Sequence, residues 1–251
     1  MKKFLLTIAA TISLGVAPAF AQPGGHGGPS FDHGMDKLFG ANQTFSCTME
    51  MQMSGRTGDN MTMTGKMSFD TGKSRFEMNM SDMRGASLPP SAMEQMKAMG
   101  MDVVISISRP DKKLAYIIYP NLKSYAEQAA TDSASGTGAD EPKIETTEDG
   151  KETVDGHDCV KNKVTITDKD GTKHQFEVWD ATDLKNFPVK ISILGEAQPV
   201  TMSFKDLSFS KPDASKFEPP TGLTKYDSVQ TMMQTEMMKH MGGAGRPPGQ
   251  Q

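Results

Sequence analysis

The sequence predicts an α+β fold in which a curved antiparallel β-sheet, an open half-barrel, carries short helices over its concave face. Two observations lead to this fold class. Apolar and polar residues alternate with a period of two through most of the chain, in runs separated by turns that contain Gly, Asp or Pro. Two other segments repeat their apolar residues every three or four positions, as amphipathic helices do.

Residues 1–21 are expected to form a cleaved signal peptide. Two lysines precede an apolar run at residues 4–16, and Ala-Phe-Ala at residues 19–21 has the small-x-small pattern of a signal-peptidase site. The apolar run is too short to span a membrane. We therefore expect a mature chain that begins at Gln22, has no stable membrane span and resides in the periplasm.

The charge of the mature chain limits its partners. It has 31 acidic and 25 basic side chains, because the signal peptide holds two of the 27 Lys and Arg residues. The resulting net charge near −6, without a basic cluster, predicts no nucleic-acid partner and no electrostatic docking to anionic lipid.

The folded part of the chain is expected to be a single domain at residues 41–241. Residues 22–40 are rich in Gly and Pro and are expected to form a disordered leader, and residues 242–251 a disordered tail of the same character. Residues 129–142 are small and polar, which predicts a loop within the domain.

The domain begins with three predicted antiparallel strands that share one apolar face. They are residues 44–54, 61–69 and 75–80, joined by the turns RTGDN and DTGK. Alternation places on this face Phe45, Cys47, Met49, Met51, Met53, Met61, Met63, Met67, Phe69, Phe76, Met78 and Met80. The sequence therefore predicts an apolar sheet face made of methionine thioethers and phenyl rings.

A short helix is predicted at residues 91–99, after the Pro pair that ends the strand pattern. Ser91 and Glu94 have the spacing of a capping box. Methionine recurs at every third residue from Met93 to Met99, so that these side chains share one face of the helix. We expect this face to lie over the apolar side of the sheet.

The rest of the domain returns to strands. The sequence predicts them at residues 102–111, 113–120 continued by 122–128, 143–154, 163–181, 188–194 and 199–209. Asp149-Gly150 is predicted to turn residues 143–154 back on themselves, and a further hairpin is centred on residues 169–171. A brief helical turn is expected at residues 181–186.

A second helix is predicted at the end of the domain. Asp227 is placed to cap it, and Gly242 is placed to end it. Apolar residues recur every four positions from Val229 to Met241. One face of this helix is therefore apolar and should dock on the rest of the domain.

Three stretches resemble the LolA/LolB-like superfamily of periplasmic half-barrels, in particular its members of unknown function. They are SRPDKKLAYIIYPNLKSYAE at residues 108–127, FEVWDATDLKNFPVKISI at residues 176–193 and SKFEPPTGLTKY at residues 215–226. The resemblance covers residues 41–235. It implies a LolA-like open barrel of antiparallel strands whose concave side, covered by helices, holds an apolar ligand. In LolA that ligand is the acyl chains of lipoproteins.

The methionines leave three interpretations open. Of the 20 in the mature chain, 14 lie in residues 35–101 and five in residues 232–241. The first interpretation is an ordinary core. The second is a Met-lined concavity that adapts to a lipid or acyl chain, since Met is flexible and polarisable. The third is Cu(I) binding by Met-x-Met clusters, since thioethers select Cu(I), although alternate residues of one strand lie about 6.6–6.8 Å apart.

The sequence predicts a non-catalytic binding protein for a hydrophobic ligand, a lipid or acyl chain, with Cu(I) binding and docking of another envelope protein as alternatives. The candidate ligand-lining residues are Phe45, Met49, Met51, Met53, Met61, Met63, Met67, Phe69, Phe76, Met78, Met80, Met93 and Met96. No nucleophile, base and oxyanion site assembles, and the five His residues lack zinc spacing. No cofactor or dedicated metal site is predicted.

Cys47 and Cys159 are a candidate disulfide pair, which an exported location permits. Strict alternation puts Cys47 on the face of Met49 but Cys159 on the face of Lys161, and these faces look opposed. A bulge near Gly156 would turn Cys159 over. The sequence leaves the bridge open.

Overall fold

The computed structural model describes residues 35–54, 60–85, 89–129, 143–168, 171–195 and 200–243. The expected signal peptide, most of the expected leader and tail, and nearly all of the loop predicted at residues 129–142 lie outside these residues. The described strands and helices are β1 (Thr44–Ser54), β2 (Asn60–Asp70), β3 (Lys73–Asn79), α1 (Pro90–Ala98), β4 (Val103–Arg109), β5 (Leu114–Tyr119), β6 (Ser124–Ala129), β7 (Lys143–Val154), β8 (His157–Thr167), β9 (Lys173–Ala181), β10 (Phe187–Leu194), β11 (Val200–Ser208), β12 (Thr224–Tyr226) and α2 (Val229–Gly243).

The described strands belong to one curved, open sheet. Its order is β12-β6-β5-β4-β3-β2-β1-β11-β10-β9-β8-β7, and neighbours are antiparallel except for β6 and β12. β1 lies in the middle, paired with β2 on one side and with β11 on the other. The chain winds outward from β1 to β6, restarts at the far edge with β7 and returns to β11. This confirms the predicted α+β half-barrel.

The period-two pattern of the sequence is realised in β1. Phe45, Cys47, Met49 and Met51 are buried, and the residues between them are only partly buried. Because successive side chains of a strand point to opposite faces, one face of β1 packs into the core. β2 and β3 continue this apolar face, which confirms the predicted three-stranded meander.

The opposite face of β4 and β5 carries a second, smaller core. Its buried members are Ile105, Ile107, Tyr116, Ile118 and Phe217. Phe217 ends a 3₁₀ helix, Ala214–Phe217. The guanidinium of Arg109 holds this segment, because it donates to the Phe217 carbonyl oxygen at 3.2 Å and to both carboxylate oxygens of Asp111 at 2.8 Å. The sheet is thus covered on both sides near β4.

The predicted turn at Asp149-Gly150 is wrong. β7 runs unbroken over Lys143–Val154, and its register with β8 shifts at Asp149, which makes this residue a bulge. The chain turns instead at Asp155-Gly156, where φ is 50° and 87°. Two consecutive positive values suit the type I′ turn of a tight hairpin. Both Asp-Gly pairs fit a turn locally, and the strand register decides which one makes it.

The folded domain begins before residue 41, so the leader predicted at residues 22–40 is wrong over its last part. Met35–Phe39 form a 3₁₀ helix, and Phe39 is completely buried. Its ring centroid lies 4.8–5.7 Å from those of Phe45, Phe69, Phe187 and Phe204. Phe39 thus covers this end of the core. The sequence does not predict this role, because a single buried residue produces no periodic pattern.

Both predicted helices are present, but neither begins as predicted. α1 begins at Pro90, and no side chain caps its N-terminus, so the predicted capping box does not form. The fixed φ of proline orders a first helical turn without such a cap. In α2 the backbone N–H of Thr231 donates to Ser228 Oγ at 3.0 Å, so Ser228 rather than Asp227 caps the helix.

Candidate functional site

The methionine face is the apolar side of β1, β2 and β3, together with Met80, which follows β3. Its buried members are Phe45, Cys47, Met49, Met51, Met63, Met67, Phe69, Phe76, Met78 and Met80, none more than 7% exposed. Met53, Met61, Met93 and Met96 are partly buried and pack against the same cluster. The structure brings all the predicted ligand-lining residues together, and their role in binding stays a prediction.

Gly65 of β2 makes room for an aromatic ring in the methionine face. It lies opposite Met49 of β1 and Met78 of β3. A Cβ atom at residue 65 would lie 2.4 Å from Cζ of Phe76 and 2.6 Å from the carbonyl oxygen of Glu77. The Phe76 ring therefore occupies the space over Gly65, and a larger residue would displace the ring or separate β2 from β3.

The two halves of the core use different residue types. The methionine face consists of thioethers and phenyl rings, whereas β8, β9 and β10 bury branched side chains such as Val164, Val178 and Ile191. Residues 35–101 contain no Val and no Ile, although these residues are among those best suited to strands. Strand formation therefore does not account for the methionines, whose distinguishing property is a flexible, polarisable thioether.

α1 packs through few contacts on the main core, of which the methionine face is a part. None of its residues is buried, and Met93 and Met96 pack on this core while remaining partly exposed. The helix N-terminus has no side-chain cap. Separating α1 from the face would therefore expose little apolar surface beyond these two thioethers.

α2 is anchored by a buried carboxylate at the β6–β12 edge of the sheet. Glu236 is 8% exposed, and its Oε1 accepts from Ser124 Oγ at 2.9 Å, Tyr226 Oη at 2.7 Å and Lys239 Nζ at 3.0 Å. Burial by itself would raise the pKa of Glu236, but these hydrogen bonds outweigh it and leave the pKa below its ordinary value. Met232 of the same helix is fully buried. α2 is thus fixed firmly to the sheet.

A cavity of about 300 Å³ lies beside the C-terminal end of α1. It is lined by Lys97, Ala98, Met99, Gly100, Asp102 and Asn121. Asp102 Oδ1 accepts from Asn121 Nδ2 at 2.8 Å. A narrow crevice reaches α2 and is lined by Met99, Met101, Leu122, Met233, Glu236 and Met237. Because the cavity and the crevice share Met99, they form an opening near the place where α1 and α2 approach each other. Within the described residues, the methionine face itself has no such opening, because its side chains are packed.

Cys47 and Cys159 are free thiols, and both are buried, at 7% and 2% exposure. Cys159 is buried although it shares a face with Lys161 and Lys163, as alternation predicts. The 3₁₀ helix Thr182–Leu184 packs on β8, and Thr182 Oγ1 donates to the Asp158 carbonyl oxygen at 2.9 Å. Burial raises the pKa of Cys47 to about 12, so this thiol is protonated at neutral pH. The structure therefore does not form the Cys47–Cys159 disulfide that the sequence leaves open.

Charged groups in the described residues form pairs at the sheet surface, such as Lys161 with Glu177 at 2.9 Å. In the same part of the chain, no three His, Cys, Asp or Glu side chains are grouped as ligands of one metal ion would be. None of the helices described there is long and apolar enough to cross a membrane.

The fold and its methionine face define a class of protein, an open half-barrel with a methionine-rich core. The sequence profile of the DUF4412 family, a domain of unknown function, matches residues 45–187, more than half of the chain. The chain belongs to the DUF4412 family. No curated protein sequence matches it.

Several solved structures are similar in fold. They include the LolA superfamily protein NE2245 from Nitrosomonas europaea, at 11% identity and a TM-score of 0.38, over 73% of this chain and 94% of that chain. LprF from Mycobacterium bovis has 13% identity and a TM-score of 0.38, over 71% and 93%. The lipoprotein LppX from Mycobacterium tuberculosis has 12% identity and a TM-score of 0.36, over 76% and 94%. The first carries the superfamily name to which the sequence resemblance points.

Proposed function

We propose that this protein is an exported, non-catalytic binding protein that holds a hydrophobic ligand, a lipid or an acyl chain, against the methionine face and under α1. The observation that carries the proposal is the composition of that face. Flexible thioethers take the positions where a fixed strand core uses branched side chains. A face made of such side chains can change shape around acyl chains of different length.

Binding has to exchange contacts, because the methionine face is packed. Met93 and Met96 each contribute part of the roughly 1.5–3 kcal/mol that burying a whole Met side chain contributes. Lifting α1 therefore loses about 2–3 kcal/mol of apolar burial. Each acyl methylene that takes its place contributes about 0.8 kcal/mol, so about four methylenes offset the loss.

The cavity beside α1 is the proposed entrance. It is open at the end of the helix, and the crevice that shares Met99 with it is lined mainly by thioethers. A polar end group of the ligand would remain near Lys97 and Asn121, and the chain would pass beneath Met93 and Met96. The ligand would then lie between the methionine face and α1.

The proposed location is the periplasm, and it rests on the signal-peptide pattern of residues 1–21. A binding protein for acyl chains meets a physical need in such an aqueous compartment, because free apolar chains are poorly hydrated. Burial of the acyl chain in the protein both stabilises the complex and removes the acyl chain from water.

Native mass spectrometry of the mature protein, purified without detergent, tests the proposal. We expect a mass excess that organic extraction releases and that proves to be lipid or fatty acid. Delipidated protein should then bind a fluorescent fatty acid saturably. Consistently empty protein that takes up no such probe would refute the proposal.

Two double variants of α1 test where the ligand binds. Met93→Gln with Met96→Gln makes the underside of the helix polar and should weaken fatty-acid binding roughly tenfold, a factor that corresponds to about 1.4 kcal/mol. The matched control, Glu94→Ala with Gln95→Ala, changes exposed positions of the same helix and should leave affinity unchanged. Equal effects of the two double variants would place the ligand elsewhere.

A further inference from the structure

Three methionines form a row across the centre of the sheet. Met51 of β1 lies directly opposite Met63 of β2 and, on its other side, directly opposite Met202 of β11. Residues directly opposite each other in antiparallel strands share a face and have Cβ atoms about 4.5–5.5 Å apart. Met51 is therefore closer to each of its two neighbours in the row than alternate residues of one strand are to each other, at about 6.6–6.8 Å. Met63 and Met202 lie two strands apart, about 9.4–9.8 Å, so their long side chains must extend toward Met51 to share one ion.

The row is buried, and further thioethers connect it to the rim of the sheet. Met51 is 6%, Met63 4% and Met202 1% exposed. Met53 and Met61 lie opposite each other at the next position of the same face, near the strand ends, and are partly buried. Thioethers therefore extend without interruption from the rim to the row, which gives a soft ion a path inward.

Thioether sulfur is a soft, uncharged donor, and Cu(I) is the ion that such donors select. Hard cations such as Ca²⁺ and Mg²⁺ require oxygen ligands instead. We propose that Met51, Met63 and Met202 bind one Cu(I) ion through their sulfur atoms. The proposal is independent of lipid binding, because it requires only the strand register and the donor type.

Competition with a colorimetric Cu(I) chelator, under anaerobic and reducing conditions, tests the proposal. The mature protein is expected to take up one Cu(I) per chain, and failure to take it up would overturn the proposal. The triple variant Met51→Leu, Met63→Leu, Met202→Leu should lose at least tenfold in affinity, because Leu keeps the apolar volume and removes the donor. Wild-type affinity in this variant would also overturn the proposal.

A matched triple variant, Met49→Leu, Met67→Leu, Met78→Leu, removes thioethers that are just as buried but lie outside the row. It should bind Cu(I) as the wild type does. Equal loss in the two triple variants would assign the copper to methionine content and not to the row. If the row variant does not fold, Met51→Leu alone serves, since it removes the central donor.

Silver(I), a soft ion without redox chemistry, provides a second measurement. In protein labelled with ¹³C at the methionine methyl groups, Ag(I) should shift the signals of Met51, Met63 and Met202 together at one equivalent. Shifts confined to the rim residues Met53 and Met61 would overturn the assignment. Lipid-binding assays on the same samples separate this outcome from failure of the proposed function.

Discussion

The substitution Gly65→Ala is expected to destabilise the protein, although it adds a single methyl group. The new Cβ would lie 2.4 Å from Phe76 Cζ and 2.6 Å from the carbonyl oxygen of Glu77. The Phe76 ring can rotate, but the carbonyl belongs to the backbone of β3, where Glu77 pairs with Lys66 of β2. The methyl group must therefore push the two strands apart locally.

Overpacking of this kind costs about 1–3 kcal/mol. In a domain of this size, 1 kcal/mol lowers Tm by about 2–4 °C, so a loss of about 2 kcal/mol should lower Tm by about 4–8 °C. Thermal unfolding measures the change, followed by far-ultraviolet circular dichroism and by the fluorescence of Trp179, the single tryptophan of the chain.

Two further variants make the test of Gly65→Ala specific. Lys66→Ala changes an exposed neighbour and should alter the free energy of unfolding by less than about 0.5 kcal/mol. Gly65→Ala combined with Phe76→Leu should lose less stability than the two single variants added together, because the crowded ring is absent. A Gly65→Ala protein with the wild-type Tm would show that Phe76 does not pack over residue 65.

Three other predictions concern buried sulfur and polar groups. Cys47 and Cys159 should resist a thiol reagent at pH 8 in the native protein and should both react in denaturant, whereas two missing thiols in denatured, unreduced protein would reveal a disulfide. Asp70→Asn should cost about 1–3 kcal/mol at pH 7, because the Lys73 ammonium at 2.7 Å lowers the pKa of the buried Asp70 carboxyl. This loss of stability relative to wild type should be complete above about pH 3.9, the pKa of an Asp carboxyl in the unfolded chain. It should vanish as the pH falls through the lowered pKa of Asp70 in the folded protein. A loss that stays constant in urea unfolding measured at acidic pH would contradict the prediction. Glu236→Ala should speed hydrogen exchange in α2 and lower stability by about 1–3 kcal/mol, and unchanged exchange would show that this carboxylate does not anchor the helix.

The methionine face is predictable from the sequence because strand alternation is a local property. Residues two positions apart point to the same face whichever strands lie beside them. Met49, Met51 and Met53 therefore share a face in any sheet, and the spacing of Met93 and Met96 gives the same information for α1. The sequence does not show whether such a face is open or packed, because the answer depends on the volume that the rest of the chain leaves.

The buried polar groups are not predictable in the same way. In the sequence, Glu236 and Asp102 are indistinguishable from exposed acids. Their burial depends on Ser124, 112 residues from Glu236, and on Asn121, 19 residues from Asp102. A buried carboxylate is stable only when such partners are in place, and the partners are brought together by the fold.

By itself, the sequence determined the α+β class and the composition of each strand face, since both follow from local periodicity. Only the tertiary structure decided that β11 lies beside β1 and so places Met202 next to Met51. It also decided that Asp155-Gly156 makes the β7–β8 turn and that Phe39 closes the core. These outcomes depend on the pairing of whole strands and on packing between distant segments. The free energy that favours each of these arrangements comes from many contacts between distant segments. No short stretch of sequence is therefore sufficient to predict them.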